Sequence, residues 1–252
     1  MKPITLTISS GRSGTFLLSR LFAQVPNNFS EHEREPSFSS VRQANILNPE
    51  IGKKFVKEHL NYIQQLPGKT YTNTDQSVSK GCLEYFYDFG IIPTIVILRR
   101  NPRKIASSLF QLNWIPGKHP GYMCWFNIPN EPNVLPFANW EKAHTYQLCF
   151  WYACECEKRA QYYYNYAKEK GSLCWETNID KILDVNHFND MLNFFSLPTV
   201  TSLPQEKVNT YETVKNKELP PPDLLRKLEL DVLDRIPIDF KNNLIARGWD
   251  QL

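Results

Sequence analysis

Thr94–Arg99 reads TIVILR, five β-branched or apolar residues in a row closed by a charge. A strand with no polar side has no face for water, the mark of a parallel sheet covered on both faces. Asn101-Pro102 follows almost at once, an N-cap residue and the residue best suited to the first helical position. Strand passing into helix without a hairpin signal predicts an α/β chain. The beginning of the chain repeats the pattern. Residues 4–10 alternate and are β-rich, and residues 13–24 carry Phe16, Leu17, Leu21 and Phe22 at helical spacing before Pro26.

The rest follows the same alternation. Residues 48–65, 79–89 and 141–170 read as helices, the last closed by Gly171. Residues 69–74 and 173–176 read as strands, Asp184 caps a helix, and Pro220-Pro221-Pro222 with Asp223 starts another. The expected architecture is a single domain over 1–252. It has a central, mainly parallel β-sheet flanked by helices, with P-loop-like nucleotide-binding topology. A stretch at 113–140, rich in proline and aromatics, interrupts the pattern and is expected to be a lid or acceptor loop.

Composition excludes several classes. With 42% hydrophobic and 22% charged residues, the chain has an ordinary globular balance. A net charge of +3, from 29 Lys+Arg against 26 Asp+Glu, predicts no nucleic-acid partner. No apolar run approaches the roughly 20 residues of a membrane span, so no membrane partner is expected. The first residues are too interrupted for an export signal, so the expected location is cytoplasmic. The six cysteines then read as free thiols, and none, Cys154 and Cys156 included, has the spacing of a zinc site, so no metal is expected.

The first chemical motif is Gly11-Arg12-Ser13-Gly14-Thr15, between the first strand and its helix. Backbone N–H groups at a helix start, with the positive end of the dipole, make an anion cradle. The nucleoside-triphosphate version is GxxxxGKS/T. Aligned on Gly14, the lysine position holds Thr15 and the magnesium hydroxyl position holds Phe16. The loop can hold a phosphate-like anion, but the ATPase apparatus is missing. A nucleophile elbow, GxSxG, fails because Thr15 stands where its last glycine belongs.

The second motif follows TIVILR: Arg100-Asn101-Pro102-Arg103-Lys104, with Ser108 two turns into the helix. With Arg99, four basic residues gather at a strand end and helix start, where their charge opposes the helix dipole and calls for an anion. Together the two motifs resemble the cofactor signature of sulfotransferases that use 3′-phosphoadenosine-5′-phosphosulfate (PAPS), releasing PAP. That family carries Lys/Arg-Ser-Gly-Thr after its first strand. It carries Arg-Asn/Asp-Pro/Gly after a later strand, with a serine eight residues beyond the arginine. Arg12 to Thr15 match the first, and Arg100, Asn101, Pro102 and Ser108 match the second.

The resemblance implies transfer of a sulfuryl group to a hydroxyl or amine of a small-molecule acceptor. Gly11, Arg12, Ser13, Gly14, Thr15 and Phe16 would hold the 5′-phosphosulfate, Arg100 and Ser108 the 3′-phosphate, and no metal is required. Arg12 would neutralise the leaving oxygen. Members with a carboxylate base carry it just after the second strand, where this chain has Glu31-His32-Glu33-Arg34-Glu35. Glu33 is the first candidate, His32 the second, and Glu31 or Glu35 stand behind. The class with a catalytic histidine after the next strand is not matched, since residues 72–75 are Thr-Asn-Thr-Asp. Asp75 and Asn73 remain as acceptor ligands, with Asp75 also a reserve base. Trp114 and Trp125, in the aromatic loop, are further acceptor contacts. The segments Lys207-Val208-Asn209-Thr210 and Lys215-Asn216-Lys217, basic in character, are expected to close over the 3′-phosphate. The competing readings are a P-loop kinase acting on a small molecule and a non-catalytic nucleotide-binding protein.

Overall fold

The computed structural model describes residues 1–118, 125–204 and 217–244. In chain order the elements are β1 (Ile4–Ser9), α1 (Thr15–Phe22), β2 (Asn28–Glu31), α2 (Phe38–Leu47), α3 (Pro49–Gln65) and β3 (Thr70–Asn73). A 3₁₀ turn at Gln76–Ser79 precedes α4 (Leu83–Asp88), β4 (Thr94–Arg99) and α5 (Pro102–Gln111). Then come α6 (Thr145–Glu169), β5 (Cys174–Asn178), α7 (Ile179–Ile182), α8 (Val185–Phe194), α9 (Pro222–Arg235) and α10 (Ile238–Leu244). The chain gathers into two compact units, Met1–Arg99 with Ala160–Thr210, and Arg100–Arg159 with Tyr211–Leu252.

The first unit holds the whole sheet. Its five strands run in the order β2-β3-β1-β4-β5, and every pairing is parallel, as expected for this α/β class. The TIVILR strand divides its side chains between two cores. Ile95 and Ile97 enter the one built with α3 and α4 (Val56, Leu60, Ile63, Leu83, Phe86). Val96 and Leu98 enter the other, with Leu18, Leu21 and Phe22 of α1 and Phe188, Met191 and Leu192 of α8. Alternation in a strand with no polar side is what covering both faces requires.

The helix starts follow the local chemistry. Asn48 accepts from the N–H of Glu50 at the start of α3, where Pro49 takes the first position. Asp184 accepts from Asn186 N at 2.8 Å and His187 N at 3.2 Å to start α8. The stretch 79–89, expected as one helix, is divided: Gly81 at φ +105° separates the 3₁₀ turn from α4. The stretch 141–170 begins its α-helix only at Thr145, after a 3₁₀ turn at Trp140–Lys142. Among the described residues no helix is long and apolar enough to cross a membrane, and the five described cysteines are free thiols.

In the second unit α5, α6 and α9 surround a core of Ile105, Leu109, Phe110, Tyr146, Trp151 and Val232. The described parts of the 113–140 stretch are tied into it. Ile115, Phe126, Leu135 and Phe137 are buried. Glu155, fully buried on α6, accepts from Leu135 N at 2.6 Å, while Trp151 Nε1 donates to Leu135 O at 2.9 Å. One helix therefore satisfies both backbone groups of a buried loop residue. Lys207 and Lys215 lie outside the described residues.

Candidate active site

The parallel sheet sends every strand's C-terminal end to the same edge. Glu31, the last residue of β2, pairs with Asn73, the last of β3, and Asn73 also pairs with Leu6 of β1. The chain leaves β1 toward β2 and leaves β4 toward β5, on opposite sides of the sheet. The neighbouring ends of β1 and β4 thus form a topological switch point, where open α/β sheets bind ligands. Three segments of the first unit follow strand ends at this edge: 10–14, 32–37 and 74–80.

The segment after β1 is a strained turn. Arg12 has φ +66° and Gly14 φ +93°. An arginine in the left-handed region costs about 1–2 kcal/mol, and such strain gathers at binding sites. Gly14 has a steric reason as well, since a Cβ there would lie 2.5 Å from Ile179 Cδ1. Helix α1 opens with no side-chain cap and no acidic residue in its first turn. The N–H groups of that turn and its dipole are left for an anion. Ser13 is buried and its hydroxyl bonds that of Ser10. The loop offers donors and a guanidinium and no carboxylate, so its chemistry fits a phosphosulfate.

The segment after β2 separates its four candidate groups. Glu31 accepts from Tyr62 Oη at 2.7 Å and Arg34 Nη1 at 3.1 Å on one oxygen, and from Tyr71 Oη at 2.8 Å on the other. Both its oxygens are engaged in holding the loop. Glu35 accepts from Ser37 N at 3.2 Å and Ser37 Oγ at 3.1 Å, shaping the start of α2. His32 Nδ1 lies 3.0 Å from Thr74 Oγ1 and 3.3 Å from Thr74 O. A carbonyl oxygen only accepts, so Nδ1 carries the proton and Nε2 the lone pair. Burial lowers the His32 pKa against the Asp75 charge and keeps the ring neutral at neutral pH. Phe16 packs its ring edge-on to His32 at 5.7 Å, so the residue at the magnesium-hydroxyl position supports a side chain of the site.

Glu33 is the remaining carboxylate. It is half-buried and, at φ +45°, a second strained residue. Burial raises its pKa, and Lys80, a hydrogen bond from Gln76 and Arg12 all pull it back. Arg12 thus acts on Glu33 across the site. A basic carboxylate in the field of the anion loop's own arginine can take a proton from a hydroxyl beside a bound anion.

The segment after β3, residues 74–80, is buried throughout, and all of it but Val78 is polar. Asp75 Oδ1 accepts from Ser77 N at 2.8 Å and Oδ2 from Phe38 N at 3.1 Å, so it caps its own turn and α2 together. Asn73 is engaged likewise: its Oδ1 accepts from Asp75 N at 2.7 Å and its Nδ2 donates to Tyr71 OH at 3.0 Å. Burial and the Glu33 charge lift Asp75 from the ordinary 3.8 to about 6. Because the folded value is the higher, the native state holds this proton more tightly. The stability it contributes is present below about pH 4 and lost as the pH rises through about 6. The stability difference between the wild type and Asp75→Asn should therefore fall by on the order of 3 kcal/mol across that window. Thermal melts at stepped pH measure it, and a difference that stays flat or rises contradicts the assignment.

The second motif divides its basic residues. Arg99 Nε lies 3.1 Å from Glu176 Oε1. Arg103 donates through Nε to both oxygens of Glu229, at 2.9 and 3.0 Å, and Tyr146 OH donates to the same carboxylate at 2.7 Å. Arg99 and Arg103 thus each stand against a carboxylate. Asn101 accepts from Arg103 N at 2.9 Å and from Lys104 N, capping α5 as expected. With the helix start capped, side chains are what this motif offers a ligand. Arg100 and Ser108 are both half-exposed. Trp114 and Trp125 pack together with ring centroids 6.4 Å apart, against the core of the second unit.

No family model and no curated protein matches the chain. Among solved structures it is similar to the sulfotransferase from Alicyclobacillus acidocaldarius, at 14% identity and a TM-score of 0.55, with 99% of each chain covered. The two proteins share a fold. Within that fold the first unit brings together Gly11 to Phe16, His32, Glu33, Asn73 and Asp75. Three residues of the same edge were not expected from sequence: Thr74, Gln76 and Lys80. Their one signal was a polar run directly after a strand of an α/β chain. Among the described residues no cluster of three His, Cys, Asp or Glu could hold a metal ion.

Proposed function

We propose that the chain is a sulfotransferase that moves a sulfuryl group from PAPS to a hydroxyl or amine of a soluble small molecule. The observation that carries the reading is the pairing of a strained, uncapped anion loop with a basic carboxylate, Glu33, that its own Arg12 acts upon. The shared fold and the resemblance of both motifs support it.

When bound, PAPS supplies an activated sulfuryl group on a phosphate leaving group. The first-turn N–H groups of α1, with Ser13 and Thr15, hold the phosphosulfate oxygens. Arg12 neutralises charge on the oxygen that leaves with PAP. Glu33 takes the proton from the acceptor as its oxygen or nitrogen bonds to sulfur and the bond from sulfur to the phosphate oxygen breaks. His32, neutral with Nε2 unprotonated, stands beside Glu33 as the second candidate for the base. Arg100 and Ser108 hold the 3′-phosphate, and Trp114 and Trp125 contact the acceptor. Asp75 and Asn73 act by shaping the loop ends, since their polar atoms already hold backbone and side-chain partners.

Incubation with PAPS and a panel of soluble phenols, alcohols and amines tests the reading. The expected result is acceptor-dependent release of PAP with a product heavier by one SO₃ unit. Phosphoryl transfer from ATP, with no PAP released on any acceptor, would overturn it.

A further inference from the structure

Gln76 and Lys80 have no part in the roles above, yet both are buried polar side chains at the site edge, at 6% and 4% exposure. Lys80 Nζ donates to Gln76 Oε1 at 3.2 Å. An ammonium only donates, so the contact fixes which end of the amide is oxygen. The amide's N–H₂ is left to donate, and Glu33 is hydrogen-bonded to this side chain. The same amide lies over the anion loop: a Cβ on Gly11 would meet Gln76 Nε2 and Oε1 at 3.0 Å. The arrangement is a line from ammonium through amide to carboxylate, against the first glycine of the loop.

We propose that Lys80 and Gln76 are positioning residues for Glu33, the lysine orienting the amide and the amide holding the carboxylate beside the phosphate loop. This deepens the function proposed above and rests on Glu33 as its base. A polarised amide bonds more strongly than an isolated one, because hydrogen bonds in a chain reinforce each other. The line also explains how a half-buried glutamate at φ +45° is held in one geometry. Its electrical effect is to keep the carboxylate ionised. The groups facing Glu33 are Lys80, Arg12, Glu35 and Asp75. Two are cations and two are carboxyls, so removal of Lys80 shifts the balance toward protonation.

The test needs no acceptor. Protein carrying ¹³C in its glutamate carboxyls is titrated by NMR, and the Glu33 resonance is assigned by its loss in Glu33→Gln. Lys80→Met should raise the Glu33 midpoint by about one pH unit. Gln76→Leu should raise it by a smaller step, and carries the test if Lys80→Met does not fold. Lys54→Met, on an exposed face of α3, should leave it unmoved. A Glu33 midpoint that is unchanged or lower in both site variants overturns the proposal. The titration reads the carboxyl in the free protein, so it can fail while sulfuryl transfer stands, and transfer can fail while it succeeds.

Discussion

Glu33→Gln is expected to lower the turnover of PAPS with any acceptor by roughly 10²–10⁴-fold, the usual weight of a general base. The amide keeps the shape of the carboxylate and loses its basicity. Binding of PAP should be unchanged or tighter, since a negative charge beside an anion site has gone. The wild-type rate should rise with pH as Glu33 ionises, with a midpoint above the ordinary 4.5 because burial raises it. Steady-state kinetics over a pH series check both points. Turnover within threefold of wild type in Glu33→Gln, with loss in His32→Ala, would move the base to the neighbouring histidine, whose Nε2 lone pair is already set. Glu31 is no such alternative, because three donors hold its two oxygens.

Arg103→Ala is expected to be the most damaging substitution for stability within the second motif. Glu229 is 1% exposed and takes its charge-balancing bonds from Arg103. Removing the arginine leaves a buried carboxylate with Tyr146 as its remaining donor from this cluster, and breaking a buried pair in this way costs about 3–5 kcal/mol. At 2–4 °C per kcal/mol for a chain of this size, the melting temperature should fall by roughly 6–20 °C. Glu229→Gln, which introduces no unpaired buried negative charge, should cost less. Differential scanning calorimetry of the two variants decides. A drop of a degree or two in Arg103→Ala would mean that the pair contributes little to the fold.

Arg103 also shows what a sequence hides. In Arg100-Asn101-Pro102-Arg103-Lys104 the charges look alike, and all of them oppose the helix dipole. The partner that explains Arg103 lies 126 residues further on. The loop after β2 has the same character. Its run of charged residues was legible as a set of candidate bases, but the division of labour within it was not. Glu31 is occupied because Tyr62 and Tyr71, 31 and 40 residues away, fold onto it. The long apolar periods were legible because burial on two faces leaves a continuous pattern, as Ile95, Val96, Ile97 and Leu98 show. Helix α2 was not: its buried residues are Phe38, Ser39, Arg42 and Asn45, a face that is mostly polar. Strand β2 is four residues, Asn-Phe-Ser-Glu, at the edge of the sheet, too short and too polar to stand out.

The loop after β1 sits between these cases. Its glycines and serines were readable as a cradle, and the missing lysine as the absence of ATPase machinery. Its strain was not readable, because nothing in the sequence sets Arg12 at φ +66° or aims Ile179 at Gly14. The polar run from Thr72 to Lys80 was readable only as a strand end. That it is buried, with Gln76 laid across Gly11, depends on the packing of the neighbouring segments.

Calorimetric titration of the wild type, Arg12→Ala and Arg100→Ala with PAP, and of the wild type with ATP and magnesium, tests the cofactor assignment most directly. The expected result is tight binding of PAP to the wild type, weaker binding in Arg12→Ala, loss in Arg100→Ala, and weak binding of ATP. Preference for ATP with magnesium, or PAP binding that survives both substitutions, would contradict it.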